Sequence, residues 1–212
     1  MDFTKFIYII QKKCLYFPSL LQLLHNDPWE GLPSALNFNS KDSTLLKLHQ
    51  HSYLGTRKSF YVNCWYMGDG ESDSQWKIYG STPSSLAVVT DFETLCDSII
   101  DTKQVYGGQI QYYDQKKELT PEYVLLQAMV KRHAFQHEKE FRLVIWDHQS
   151  INKEHLSEGL NVYVNIKKLF KKIVIHPLAP AWFIDIVDRT LRDYGFDVPI
   201  EQSDLLEPLM IE

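Results

Sequence analysis

The most informative pattern in the chain is KRHAFQHEKEFRLVIW, which occupies Lys131–Trp146. From Glu140 onward, residues of two different kinds alternate along the chain. This two-residue period predicts a β-strand with two distinct faces. One face is apolar and suited to a core, and it consists of Phe141, Leu143 and Ile145.

The other face of this strand begins with Glu140 and Arg142, two residues apart. At strand spacing their Cα atoms are about 7 Å apart, so the carboxylate and the guanidinium can bind one ligand or pair with each other. Val144 and Trp146 follow on the same face, and this mixture of charged and apolar groups favours a cleft. The alternative is a solvated charge ladder on an open sheet face, which stabilises by roughly a few tenths of a kcal/mol per pair.

Length and composition predict one substantial domain over residues 1–212, with 44% hydrophobic residues to fill its core. The formal net charge of −5 argues against a nucleic-acid partner, and we interpret the lysines at 167, 168, 171 and 172 as a solvated turn. Three widely spaced cysteines indicate a reduced, cytoplasmic protein. We find no secretory signal and no apolar segment long enough to span a bilayer, which predicts no membrane partner.

Helical and strand patterns are interspersed along the chain. Helical periodicity covers residues 3–10, 75–79, 91–100, 120–130 and 179–195, and strand patterns cover residues 14–17, 60–66, 86–90, 105–113, 140–146, 160–166, 173–175 and 198–200. Within residues 105–113, Gly107 and Gly108 indicate a bulge or a close approach of another group. The pattern predicts a single α+β domain with a mixed, mostly antiparallel sheet flanked by helices.

Several motifs that would identify a reaction are absent from the sequence. His133 and His137 are four residues apart, as two zinc ligands on a helix would be, but Ala134 stands where a zincin has glutamate. We therefore predict no metal site. No glycine-rich phosphate loop and no nucleophile elbow occur, and Cys64 is interpreted as a buried structural thiol.

Short segments spread over nearly the whole chain follow one another in a characteristic order. They are Leu15–Pro18, Asn26–Glu30 (NDPWE), Asn63–Tyr66 (NCWY), Gln75–Tyr79 (QWKIY), Lys131 with Phe135, Glu138–Arg142 (EKEFR) and Ile173–Pro177 (IVIHP). Their order and spacing resemble the bacterial family known as domain of unknown function 2971. Members of that family typically begin with an additional strand, so we expect residues 1–212 to lack the family's first strand. Ser81–Ser85 replaces the family's usual Gly-x-Gly element.

The layout of this family is similar in outline to that of ADP-ribosyltransferases. That similarity implies a catalytic role for Glu140 or Glu138, which would position the ribose hydroxyls of NAD, the co-substrate, and stabilise an oxocarbenium-like transition state. It also implies that Arg142 contacts phosphate and that Trp76 and Tyr79 stack on a planar group.

The motif matches add Asp27, Trp29 and Lys131 to the expected substrate- or cofactor-binding residues. The leading hypothesis is thus a glycosyl- or ADP-ribosyltransferase-like enzyme, an NAD-using effector in stress or phage defence. The alternative is a non-catalytic binding or regulatory module with a structural Glu/Arg cluster, whose partner is an unidentified small molecule or protein. A third hypothesis, a nucleic-acid-processing protein, depends only on the lysines at 167–172.

Overall fold

The structure, a computed structural model, describes residues 1–24, 26–32, 53, 55–114, 116–119, 123–152 and 159–207. The chain divides into two compact units, each assembled from separate stretches of sequence. Unit one comprises Met1–Leu15, Gly68–Asp101 and Val162–Glu212, and unit two comprises Tyr16–Met67 and Thr102–Asn161.

Helices and strands alternate through the described residues. The α-helices are α1 (Phe3–Lys12), α2 (Asp73–Tyr79), α3 (Phe92–Ser98), α4 (Val124–Gln127), α5 (Ile166–Leu169) and α6 (Ala181–Asp193), and residues 55–59 are also helical. The strands are β1 (Cys14–Phe17), β2 (Phe60–Tyr66), β3 (Leu86–Val89), β4 (Tyr106–Gln109), β5 (Gln111–Tyr113), β6 (Val130–Arg132), β7 (Glu140–Trp146), β8 (Leu160–Tyr163), β9 (Lys172–Ile175) and β10 (Ile200–Gln202). Short 3-10 helices cover Leu20–Leu23, His133–Glu138 and His148–Asn152. Strands β1 and β8 pair with each other.

Unit one is organised around a three-stranded sheet in which β9 is central, parallel to β10 and antiparallel to β3. Helix α6 buries Phe183, Val187 and Leu191, whose four-residue spacing places them on one face. The chain leaves this helix through Gly195 at φ +74°, a left-handed conformation that glycine adopts without a steric penalty.

Unit two contains an antiparallel sheet with β7 between β2 and β4, and a separate parallel pair formed by β5 and β6. Its core lies on one face of the antiparallel sheet, where Phe60, Val62 and Val144 pack with Leu20 and Ala128. This apolar cluster continues along the same face toward the charged end of β7, because opposite residues of an antiparallel ladder project to the same side.

The structure confirms the α+β class with mostly antiparallel sheets. It also resolves the two alternatives for β7: Glu140 and Arg142 are buried together with Leu143, Val144 and Ile145. The solvated charge ladder is therefore wrong. The prediction of one domain over residues 1–212 concerns cooperative folding and stays a prediction. In the part of the chain that is described, no helix is long and apolar enough to cross a membrane.

Several sequence expectations need correction. The strand expected over residues 160–166 ends at Tyr163, because Asn165 caps α5 and Ile166 is its first residue. The last strand covers Ile200–Gln202 instead of residues 198–200. The strand expected over residues 105–113 is interrupted at Ile110, whereas Gly107 and Gly108 both lie in regular register with β7. The helix expected over residues 120–130 does not reach its predicted end, because Val130 belongs to β6 and only α4 is helical. Its predicted start at residues 120–122 lies outside the described residues.

Candidate functional site: a buried cluster of ion pairs

The site is organised around Arg142 of β7, which lies opposite Cys64 of β2 and Gly108 of β4. Gly108 leaves room on this face of the sheet, because a Cβ at that position would lie only 2.8 Å from Met129 Cε. The close approach suggested by the glycine pair is therefore present. Met129 and its neighbour Ala128, which both pack in the apolar core, cover this part of the sheet.

Arg142 is the largest fully buried side chain among the described residues. Its Nε donates to Glu140 Oε1 at 2.5 Å, and its Nη2 donates to Glu30 Oε1 at 2.5 Å and to Glu140 Oε2 at 3.0 Å. Its Nη1 donates to the carbonyl oxygen of Ala128 at 2.8 Å. Burial opposes the charge, but the two carboxylates raise the pKa of Arg142 well above its usual value. The guanidinium is permanently charged and engaged within the protein.

Glu140 is enclosed by donors on both of its oxygens. Besides the two contacts from Arg142, Lys131 Nζ lies 3.3 Å from Oε2, and the Cys64 thiol is a further hydrogen-bond donor. Burial raises the pKa of Glu140, but the charge and hydrogen bond of Arg142 and the charge of Lys131 outweigh it and lower the pKa to about 2. Glu140 is therefore ionised at neutral pH and does not act as a general acid there.

Lys131 of β6 bridges three carboxylates. Its Nζ lies 2.5 Å from Glu138 Oε2, 3.3 Å from Glu140 Oε2 and 3.9 Å from Glu30 Oε2. Burial lowers the pKa of Lys131, but the charges of Glu30 and Glu140 and the hydrogen bond to Glu138 raise it above its usual value. The ring of Phe135 lies 5.1 Å from this ammonium group, within the range of a cation–π interaction.

A second group of charges adjoins the first through the turn at residues 26–31. Asp27 Oδ1 accepts hydrogen bonds from Arg132 Nη2 at 2.6 Å and from the backbone N–H of Trp29 at 2.9 Å. Arg57 Nε donates to the carbonyl oxygen of Glu30 at 2.8 Å. These contacts hold the turn in place, so the Glu30 carboxylate can reach Arg142 across a sequence separation of 112 residues.

Cys64 differs from its sequence interpretation. The residue is exposed to solvent, but its side chain projects to the same face of the sheet as Arg142. Desolvation on that face, together with Glu140, raises the pKa of the thiol well above its usual value despite the nearby charge of Arg142. A protonated thiol is a weak nucleophile, so Cys64 serves here as a hydrogen-bond donor to Glu140.

The structure brings most of the predicted site residues into one network. Lys131 pairs directly with Glu138 and Glu140, Arg142 pairs directly with Glu140, and Asp27 belongs to the adjoining pair with Arg132. Trp29 contributes its backbone N–H to Asp27, while its side chain is partly exposed. The prediction that these groups bind a substrate or cofactor stays a prediction.

Trp76 and Tyr79 belong to unit one, whereas the charge cluster lies within unit two. Trp76 is buried, donates through Nε1 to Glu71 Oε2 at 2.7 Å and packs edge-on against His176 at 5.2 Å between ring centroids. Tyr79 is exposed on the same helix. Trp76 thus has internal partners, and the stacking role predicted for both residues remains untested.

Three charged members of the network, Glu30, Arg57 and Arg132, were not among the predicted site residues. Glu30 is the last residue of the NDPWE segment, and no local pattern reveals its partner in a distant strand. Arg57 precedes strand β2, and no local sequence pattern marks it as a member of a charged site. The basic run was interpreted as solvated, and two of its lysines pair with carboxylates: Lys171 with Asp91, and Lys172 with Glu201.

Among the described residues, no group of three or more histidine, cysteine, aspartate or glutamate side chains is arranged to hold a metal ion. No protein-family model, curated protein or solved structure matches this chain. The resemblance to domain of unknown function 2971 therefore stays a prediction.

Proposed function

We propose that this protein is a non-catalytic binding or regulatory module in which the cluster around Glu140 and Arg142 is structural. The observation that carries the proposal is the saturation of the Glu140 carboxylate. A carboxylate offers about four lone-pair sites. Three donors lie within hydrogen-bonding distance of Glu140, namely Arg142 Nε, Arg142 Nη2 and Lys131 Nζ, and a hydrogen bond from the Cys64 thiol also lowers its pKa.

A catalytic glutamate that positions a ribose must accept hydrogen bonds from substrate hydroxyls. At Glu140 a hydroxyl would have to displace Arg142 or Lys131, and either displacement would leave a buried cation without its partner. Removing one member of a buried pair costs about 3–5 kcal/mol, which a single hydroxyl does not return. The geometry therefore supports a structural carboxylate better than a catalytic one.

Membership of the domain of unknown function 2971 family and a cytoplasmic location belong to the same proposal. The order of the seven motif segments supports the family. The free state of Cys14, Cys64 and Cys96 supports a reducing compartment.

The second candidate is the NAD-using transferase, an effector of stress or phage defence. One observation favours it: a pKa of about 2 keeps Glu140 ionised, as stabilisation of an oxocarbenium-like transition state requires. In that case Glu140 and Glu138 would be the catalytic candidates.

NAD consumption by purified protein, alone and in a bacterial lysate, separates the two candidates. We expect wild type, Glu140→Gln and the exposed control Glu93→Gln to give equal, background-level turnover, with Glu140→Gln alone losing stability. Turnover in the wild type that Glu140→Gln abolishes while remaining folded would overturn the module and establish the transferase. If Glu140→Gln does not fold, wild-type turnover above background is sufficient to overturn the module.

A further inference from the structure

Glu138 enters the cluster differently from the other carboxylates. It is carried by the short 3-10 helix His133–Glu138, only seven residues after its partner Lys131. Its side chain is 10% exposed, compared with 2% for Glu30 and 4% for Glu140. Glu138 is therefore the carboxylate of Lys131 that lies nearest to solvent.

The segment that carries Glu138 ends in a strained conformation. Lys139 follows directly at φ 39° and ψ 56°, in the left-handed region that a residue with a Cβ rarely adopts. At the end of the segment, the Lys139 amide donates to Gln136 O at 3.3 Å and the Lys139 carbonyl accepts from the Met67 amide at 2.8 Å. The segment is also held by His133 Nε2, 2.9 Å from Tyr112 O, and by the cation–π contacts of Phe135. Opening this segment would release the strain at Lys139.

Charge balance determines what must replace Glu138 if the segment opens. Among the described residues that contact one another here, the cations are Arg57, Lys131, Arg132 and Arg142, and the carboxylates are Asp27, Glu30, Glu138 and Glu140. The set is neutral with Glu138 in place and carries one positive charge without it. Glu30 and Glu140 keep Lys131 charged in either case. Lys131 would lose its shortest contact, at 2.5 Å, and keep those to Glu140 at 3.3 Å and Glu30 at 3.9 Å. A net positive charge in a buried cluster is costly, so the vacated position favours an anion.

We infer that Lys131 is an anion-binding position whose tethered occupant is Glu138, and that the ligand of this module presents a carboxylate that displaces Glu138. This inference rests on the proposed function, because it treats the Glu140–Arg142 pair as a structural part of the site that stays in place when the ligand binds. A carboxylate is the chemical class that fits, since the occupant it replaces is a carboxylate whose Oε2 lies 2.5 Å from the Lys131 ammonium group.

Acetate is the matched probe, because it replaces the atoms that Glu138→Ala removes. We expect Glu138→Ala to bind acetate at least tenfold more tightly than wild type, in which acetate competes with a tethered carboxylate at high effective concentration. Amide chemical shifts of residues 131–139 report binding, with sodium chloride at equal ionic strength as the salt control. Glu93→Ala should behave as wild type, and the double variant Lys131→Met, Glu138→Ala should lose the site.

Equal acetate affinity in Glu138→Ala and in the double variant would overturn the inference, and so would preference for inorganic phosphate over acetate.

Wild type supplies a second test that needs no variant. Acetate, but not chloride, should accelerate hydrogen exchange of the Lys139 and Met67 amides, which are bonded within and next to the segment. Unchanged exchange would show that the segment does not yield to a carboxylate. Neither result depends on NAD turnover, so the inference and the proposed function can fail separately.

Discussion

Transferring a guanidinium from water into a protein interior costs several kcal/mol, and Arg142 recovers this cost only through its partners. Two carboxylates and one carbonyl oxygen surround it at hydrogen-bonding distance, so its charge is both neutralised and directed. The same contacts explain why Glu30 and Glu140 tolerate burial. At the scale of single residues, therefore, each member of the cluster is stable only because the others are present.

Replacing Arg142 with methionine should destabilise the protein by about 3–5 kcal/mol, because Glu30 and Glu140 would lose the cation that compensates their burial. The measurement is the free energy of unfolding in urea. Arg192→Met is the matched control, since Arg192 forms an exposed pair with Asp188 within one helix and its loss should cost only about 0.5 kcal/mol. Equal costs in the two variants would show that the buried cluster contributes no more than a surface pair.

Acid should weaken the contribution of Glu140 in a defined pH window. The pKa of Glu140 is about 2 in the folded protein and 4.5 in the unfolded chain. Its stabilising effect is therefore complete above about pH 4.5 and is lost as the pH falls toward 2. The stability difference between wild type and Glu140→Gln should therefore be constant at neutral pH and shrink below about pH 4.5. Thermal unfolding from pH 7 to pH 2 measures it. A difference that stays constant down to pH 2 would contradict the low pKa.

At the scale of elements, the turn that presents Glu30 depends on the glycine that follows it. Gly31 has φ +69°, and a Cβ at this position would lie 2.8 Å from Leu20 Cδ1 in the core. Gly31→Ala should therefore cost about 1–2 kcal/mol from the left-handed backbone alone. Gly70→Ala, where a Cβ meets nothing within 4 Å, should stay within about 0.5 kcal/mol of wild type. Urea denaturation of both variants tests this, and equal stabilities would contradict it.

Elements with a strong local signal could be predicted from the sequence. β2 follows from its aromatic and β-branched residues, and the start of α3 follows from Asp91, whose side chain accepts the hydrogen bond of the Thr94 amide. The interruption at Ile110 could not be predicted in this way. There the chain leaves β7 and pairs instead with β6, and the choice between two partner strands depends on distant residues.

At the scale of the whole molecule, the chain passes between the two compact units four times, at residues 15/16, 67/68, 101/102 and 161/162. Neither unit is formed by one continuous stretch of the chain. We expect the two units to unfold in a single cooperative transition, as the one-domain prediction requires. Amide exchange in rising urea should give the same midpoint for Val62 of unit two and Ile173 of unit one. Separate midpoints would show that the units unfold independently.

The sequence by itself determined the α+β class, most helix and strand positions, and the two faces of β7, because these depend on periodicity and on residues near one another in the chain. It also indicated that Glu140 and Arg142 belong together. Only the tertiary structure decided that both residues are buried, that Glu30 pairs with Arg142 and that Lys131 pairs with Glu140. The physical reason is that burial and ion pairing depend on which distant segments cover a strand, and no local pattern encodes a contact across 112 residues.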